Sequence, residues 1–216
     1  MIRGLIFDLD GVLFDSHPVH RKAWRGVLQK AGKDASDDEL DFIMSGATRE
    51  EILHHFFGPL TSEQIATYTE QKDTFVQNDE HQVQTIAGVE AFLGLVESAN
   101  LPKAVATSAS KTRAERILEK HGMATRFSAV ITSDDVHKGK TDPAIFLRSA
   151  EKLGLEARDV LVFEDAAPAI RSVKNIGMKC IGIATATRRP LLLGAGADLV
   201  FADFRELRLC DVMRLF

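Results

Sequence analysis

Six short apolar runs, each closing on polar residues and separated by stretches of helical periodicity, constrain this chain more than any other feature. The runs are 4–7, 104–107, 129–131, 160–163, 179–183 and 198–201. They are too short for helices and rich in Val and Ile, so they read as strands buried on both faces. The intervening helices carry start and stop signals. Residues 111–121 put Ala114, Ile117, Leu118 and His121 on one face before Gly122. Residues 142–153 open on Asp142-Pro143, a cap followed by proline at the first helical position, and close at Gly154; 168–176 close at Gly177. Strand and helix in regular alternation predict an α/β fold, a doubly wound parallel sheet with helices on both faces.

One stretch breaks the alternation. From about residue 16 to about residue 84 only helices are readable. Residues 17–31 place Val19, Ala23, Trp24, Val27 and Leu28 at helical spacing, and Ser36…Glu39 and Thr48…Glu51 match capping boxes. Gly58-Pro59 is a break, and a longer helix follows over 62–76. The segment holds 7 basic and 12 acidic residues, so it carries more negative charge than the whole chain, whose net charge is −4. The predicted organisation is a core of 1–15 and 85–216 with a helical domain of 16–84 inserted after the first strand.

Composition excludes several function classes. With 45% apolar and 27% charged residues the chain has the makeup of a folded protein, not a disordered one. The mild acidity argues against a nucleic-acid partner held through phosphates. Two cysteines, Cys180 and Cys210, make neither a disulfide framework nor a metal-type spacing. No apolar run nears the roughly 20 residues that span a bilayer, so no membrane partner is expected. Acids come too early at the N-terminus for a signal peptide. The expectation is a cytoplasmic monomer.

In a parallel sheet, ligands bind at the carboxyl ends of the strands. The first strand delivers Asp8-Leu9-Asp10-Gly11, the second Thr107-Ser108-Ala109-Ser110 and the fourth Glu164-Asp165, while Lys140 lies in the loop after the third. Carboxylates converging on one rim raise one another's pKa and call for positive charge. An all-oxygen set without His or Cys favours a hard cation, Mg2+ before Zn2+. A magnesium ion, a lysine and hydroxyl donors around acids suit a phosphoryl group, whose charge is spread over its oxygens. Gly11 permits a tight turn that would aim backbone N–H groups at that anion.

At these residues the sequence resembles the haloacid dehalogenase superfamily, in its β-phosphoglucomutase-like subgroup with a helical cap. Phe7-Asp8-Leu9-Asp10-Gly11-Val12-Leu13 resembles the first family motif and Ala106-Thr107-Ser108-Ala109-Ser110 the second. Gly139-Lys140-Thr141-Asp142-Pro143 resembles the third, with Thr141 in place of the usual proline, and Val162-Phe163-Glu164-Asp165 the fourth. The resemblance implies a Rossmann-like core under a cap. It implies that Asp8 is the nucleophile, forming an aspartyl-phosphate, and that Asp10 is the acid and then the base. Ser108, or in the alternative register Thr107, would bind the phosphoryl oxygens, and Lys140 would neutralise charge. Mg2+ would be held by Asp8, Asp10 through its backbone carbonyl, and Asp165, with Glu164 as a direct or water-mediated ligand. An acid two residues after the nucleophile separates phosphatases and mutases from dehalogenases, whose halide leaves without a proton.

The resemblance further implies that His20, Gly46, Arg49 and Lys72 of the cap contact substrate, with Thr107 and Ala109 of the core. Arg49 suits bidentate binding of a second anionic group. The resemblance also matches Trp24, in His20-x-x-Ala23-Trp24, which reads alternatively as a packing residue, and Lys72 reads alternatively as a solvated helix face. The expected function is a Mg2+-dependent phosphatase for a small phosphorylated metabolite such as a sugar phosphate, with a β-phosphoglucomutase as the alternative. A receiver-type signalling domain gathers similar groups but predicts a short chain without a helical insert.

Overall fold

The computed structural model of the chain describes residues 2–44, 47–136, 140, 142–213 and 215. Gly46, Gly139 and Thr141, singled out from the sequence, lie outside these. In chain order, β1 (Gly4–Phe7) and the two-residue β2 (Phe14–Asp15) lead into α1 (His17–Lys30), α2 (Asp37–Met44), α3 (Arg49–Phe57) and α4 (Ser62–Asp79). The two-residue β3 (Gln84–Thr85) then precedes α5 (Val89–Ser98), β4 (Lys103–Ala106), α6 (Lys111–Lys120), β5 (Ala129–Ile131) and α7 (Ala144–Lys152). Last come β6 (Val160–Glu164), α8 (Ala167–Asn175), β7 (Lys179–Ile183), α9 (Arg189–Gly194), β8 (Leu199–Phe201) and α10 (Leu209–Met213). The chain divides into two compact units, Met1–Asp15 with Thr85–Phe216, and Ser16–Gln84.

In the first unit all six apolar runs form strands of one parallel sheet, ordered β5-β4-β1-β6-β7-β8. β1 therefore lies between β4 and β6, and the chain winds outward from it in both directions. Alternation along the strands fills two faces. Ile6, Ala104, Ala106, Val160, Val162 and Cys180 meet Ile145, Phe146 and Ala150 of α7 and Ile170 and Val173 of α8. On the other face Phe7 and Phe163 stack at 4.6 Å between ring centroids, with Phe92 of α5 edge-on to both. Burying each such side chain contributes about 1.5–3 kcal/mol.

Three helices stop as expected, and by one mechanism. Gly122, Gly154 and Gly177 have φ of 67°, 68° and 76°, the left-handed region closed to most residues. The next N–H in each case reaches back five residues: Met123 to Leu118 O (2.7 Å), Leu155 to Ala150 O (3.0 Å) and Met178 to Val173 O (3.3 Å). These are Schellman closures. The start of α7 differs by two residues from the sequence reading. Asp142 is not the cap: Pro143 stands at the N-cap position, and the Asp142 carboxylate accepts the Ala144 N–H (2.9 Å) across it in an Asx turn, so the helix proper begins at Ala144. Helices α5, α9 and α10 were not anticipated.

In the second unit both expected capping boxes form. Thr48 N–H donates to Glu51 (2.7 Å) and Glu51 N–H to Thr48 Oγ1 (3.2 Å); Ser36 and Glu39 repeat the exchange at 2.8 and 3.3 Å. A third box, Thr61 with Gln64, opens α4. Trp24, Val27, Leu28, Leu40, Ile43, Ile52 and Leu53 make this unit's own core, so Trp24 packs.

Candidate active site

Where a doubly wound sheet diverges from one strand, the loops leaving that strand and its neighbours part, and a crevice opens at their carboxyl ends. Here the strand is β1. Its neighbours β4 and β6 pair with it through Phe7 opposite Val105 and Phe163, so the residues that follow each strand rise together.

Asp8 follows Phe7 directly, and its N–H donates to Phe163 O (3.0 Å), continuing the ladder one step past the strand. Glu164 ends β6, and Asp165 follows it. Asp8, Glu164 and Asp165 are all buried, and each offers a carboxylate oxygen within 4.8 Å of the others'. Lys140 reaches this cluster, ion-paired to Asp8 Oδ1 and donating to Glu164 Oε2 at 3.0 Å. The other Glu164 oxygen accepts the N–H groups of Asp165 (3.0 Å) and Ala166 (3.1 Å), which fixes its carboxylate plane.

Electrostatics follow from this crowding. Burial foremost, then the charge of Glu164, holds the Asp8 carboxyl well above the usual carboxylate range; Lys140 opposes, and Asp165 and Asp10 add to the rise. Glu164 is also raised, by burial first and by Asp165, against the pull of Lys140. For Lys140 burial works against the charged form, but Asp8 and Glu164 outweigh it and push the ammonium up. The lysine stays charged throughout the physiological range, and three carboxylates remain under-compensated.

Asp10 stands apart from the cluster. Both its oxygens accept from the guanidinium of Arg113, Oδ2 from Nη1 and Oδ1 from Nη2, each at 2.7 Å. Among the described residues its carboxylate is not one of the metal-type group, in keeping with a side chain turned away from it. The turn after Asp10 is tight, as Gly11 predicts. Gly11 adopts φ 77°, and its own N–H donates to Phe14 O (2.8 Å), which closes the turn.

At the end of β4 the two hydroxyls part. Thr107 is buried, and its Oγ1 accepts the Ala109 N–H (3.0 Å), while Ser108 is exposed. Ala109 O in turn accepts from Ser133, anchoring the loop to the segment after β5. A further cation comes from after β7. Arg188 donates to the Asp165 backbone O (3.0 Å) and approaches its Oδ2 (3.4 Å). Neither Arg113 nor Arg188 belongs to a recognisable motif, and sequence reasoning missed both.

In the helical unit, Arg49 forms a two-point ion pair with Asp73, both bonds 2.9 Å, and Lys72 Nζ lies 3.8 Å from the same carboxylate. Lys72 is buried, not a solvated helix face. His20 sits in the first turns of α1, with its N–H on Ser16 O (3.0 Å).

The model of the haloacid dehalogenase-like hydrolases matches residues 5–183. Over 214 residues the chain is 29% identical to the validoxylamine A 7'-phosphate phosphatase of Streptomyces hygroscopicus subsp. limoneus, covering 96% of this chain and 97% of that one. It is 28% identical over 217 residues to the beta-phosphoglucomutase of Bacillus subtilis (strain 168), covering 96% and 92%. Among solved structures, a HAD hydrolase of family IA, variant 3, from Entamoeba histolytica HM-1:IMSS superposes with a TM-score of 0.90, at 24% identity and 99% coverage of both chains, a likeness of fold.

Proposed function

The chain belongs to the haloacid dehalogenase-like hydrolases, and from that premise we propose that it is a Mg2+-dependent phosphatase of small phosphorylated carbohydrates, working through an aspartyl-phosphate on Asp8. The observation that carries the proposal is the buried Asp8–Glu164–Asp165 cluster with Lys140 reaching into it. A solvated rim of acids would not need a buried lysine, and burying like charges without a function is costly.

The donor set fits magnesium: oxygen ligands alone, crowded together and short of positive charge. Asp8, Glu164 and Asp165 would hold the ion, with the Asp10 carbonyl. When bound it supplies Lewis-acid polarisation of a phosphoryl oxygen and balances the cluster's charge. The protein's own groups do the rest. An Asp8 oxygen bonds to phosphorus as the phosphorus–oxygen bond to the alcohol breaks, and the departing oxygen keeps that electron pair and takes a proton from Asp10. Water then attacks the same phosphorus while Asp10 takes its proton, the bond to Asp8 breaks, and inorganic phosphate leaves. Splitting the transfer at one carboxylate makes each step easier. Lys140 balances the charge of Asp8 and the phosphoryl group, and the Ser108 hydroxyl donates to a phosphoryl oxygen. Ser108 is preferred over Thr107 because Ser108 is exposed at the strand end whereas Thr107 is buried and braces its own loop. The helical unit is proposed to select the substrate, with His20, Gly46, Arg49 and Lys72 as its substrate contacts.

A second reading, β-phosphoglucomutase, has support in the Bacillus subtilis relative's name. The phosphatase ranks first on the name of the Streptomyces relative, which the chain matches over 97% of that protein's length; the Arg49–Asp73 pair is exposed and too weak to separate the readings. A panel of sugar phosphates with Mg2+ tests the choice. The phosphatase predicts inorganic phosphate release exceeding glucose 1-phosphate isomerisation. Isomerisation in excess would reverse the ranking, and no turnover of any phosphate ester would overturn both readings.

A further inference from the structure

We propose that Arg113 is a positioning residue for Asp10, fixing the plane of the proton-transfer carboxylate and holding it out of the neighbouring acid cluster. The inference rests on the proposed role of Asp10. Its geometric basis is the two-point pair at 2.7 Å and 2.7 Å, with side-chain exposures of 11% for Arg113 and 24% for Asp10. Arginine is seldom this buried unless paired. Two parallel bonds from one rigid fork define both the distance and the orientation of a carboxylate, which a lysine's single point charge does not.

The pairing leaves Asp10 competent. A carboxylate has about four lone-pair sites, and the fork uses one on each oxygen. The fork sets the plane in which that carboxylate would give up and receive its proton. The position of the arginine adds to the argument. Arg113 is the third residue of α6, where its N–H donates to the Ser110 cap hydroxyl at 3.4 Å. The preceding Lys111 N–H is anchored on Asp134 at 2.9 Å. The guanidinium thus stands on the same loop-to-helix junction that presents Ser108, so the proton-transfer group is set in register with the phosphate-binding loop.

The test compares two near-identical substrates, phenyl phosphate and 4-nitrophenyl phosphate, with Mg2+. In a two-displacement scheme kcat/KM reports only transfer to Asp8. Phenolate leaves with a proton, whereas nitrophenolate leaves without one. Arg113→Gln is expected to lower kcat/KM about 10–100-fold on phenyl phosphate, the scale of a misplaced catalytic group, and by less than about 3-fold on 4-nitrophenyl phosphate. Arg113→Lys, which keeps charge and stem but loses the fork, should show the same split with a smaller loss, and it carries the test if Arg113→Gln fails to fold. Asp10→Asn is the control and should split the substrates more widely. Equal losses on both substrates in the Arg113 variants, a gain, or no change, with Asp10→Asn still splitting them, would overturn the role of Arg113 and leave the phosphatase standing. An Asp10→Asn variant that treats both substrates alike would overturn the acid role of Asp10, and the role of Arg113 with it.

Discussion

Replacing Lys140 with methionine removes the ammonium that pairs with Asp8 and Glu164 while keeping an unbranched apolar stem. Breaking a buried ion pair from one side costs about 3–5 kcal/mol if the orphaned charge stays ionised. The native state can avoid part of that by taking up a proton, because burial and mutual repulsion already push Asp8 and Glu164 above the usual carboxylate range. A proton bound by the native but not the unfolded chain makes stability fall as pH rises, by about 1.4 kcal/mol per pH unit for one proton. Lys140 itself is raised, so its contribution is present below its ordinary value of 10.5 and is lost only above it. Between pH 5 and pH 8 Lys140 does not titrate, and the difference in slope between variant and wild type therefore comes from the carboxyls it leaves unpaired. In EDTA-treated protein, urea denaturation should find Lys140→Met nearly as stable as wild type near pH 5 and about 3–5 kcal/mol less stable at pH 8. A deficit that does not change with pH, or one under about 1 kcal/mol at pH 8, would refute the reasoning. In activity the same variant should lose about 100–1000-fold in kcat with Mg2+ present.

Asp8→Asn, nearly isosteric, should retain the circular dichroism and melting behaviour of a folded protein while turnover falls to background. Ser108→Ala should weaken inhibition by inorganic phosphate with little change in melting temperature, whereas Thr107→Val, which loses the hydroxyl that accepts the Ala109 N–H, should lower the melting temperature; the reverse pattern would move the phosphate-binding role to Thr107. Thr48→Ala, which removes half of a capping box, should destabilise the helical unit by about 1 kcal/mol in chemical denaturation. Phe7→Ala should cost about 3–5 kcal/mol, since the ring is fully buried against Phe163.

The strands were legible because a sheet covered on both faces needs continuous apolar runs, and Val160 to Phe163 or Ala104 to Ala106 have no other use in a folded chain. The helix stops at Gly122, Gly154 and Gly177 were legible because a left-handed residue is a local requirement. Helix α5 was not: its Phe-Leu-Gly-Leu-Val core blurs the helical period into an apolar run. α9 and α10 span only 6 and 5 residues, too few to show a period. The same division holds at the site. Asp8, Glu164 and Asp165 sit directly at strand ends, so strand assignment alone brings them together. Arg113 meets Asp10 across 103 residues of chain, and Arg188 meets Asp165 from a loop with no motif. Ion pairs of this kind depend on where helices and loops dock, which no local pattern records. The turn at Gly11 shows the converse: its positive φ was readable, while the partner of its N–H was set by Phe14 folding back.

Chemical trapping bears most directly on the account. If the chain is quenched during turnover of a phosphate ester with Mg2+, reduced with borohydride and mapped by peptide mass spectrometry, the reduced acyl-phosphate should appear at position 8 alone, and be absent in Asp8→Asn. Phosphate release with no label at Asp8, or with the label on another side chain, would contradict it.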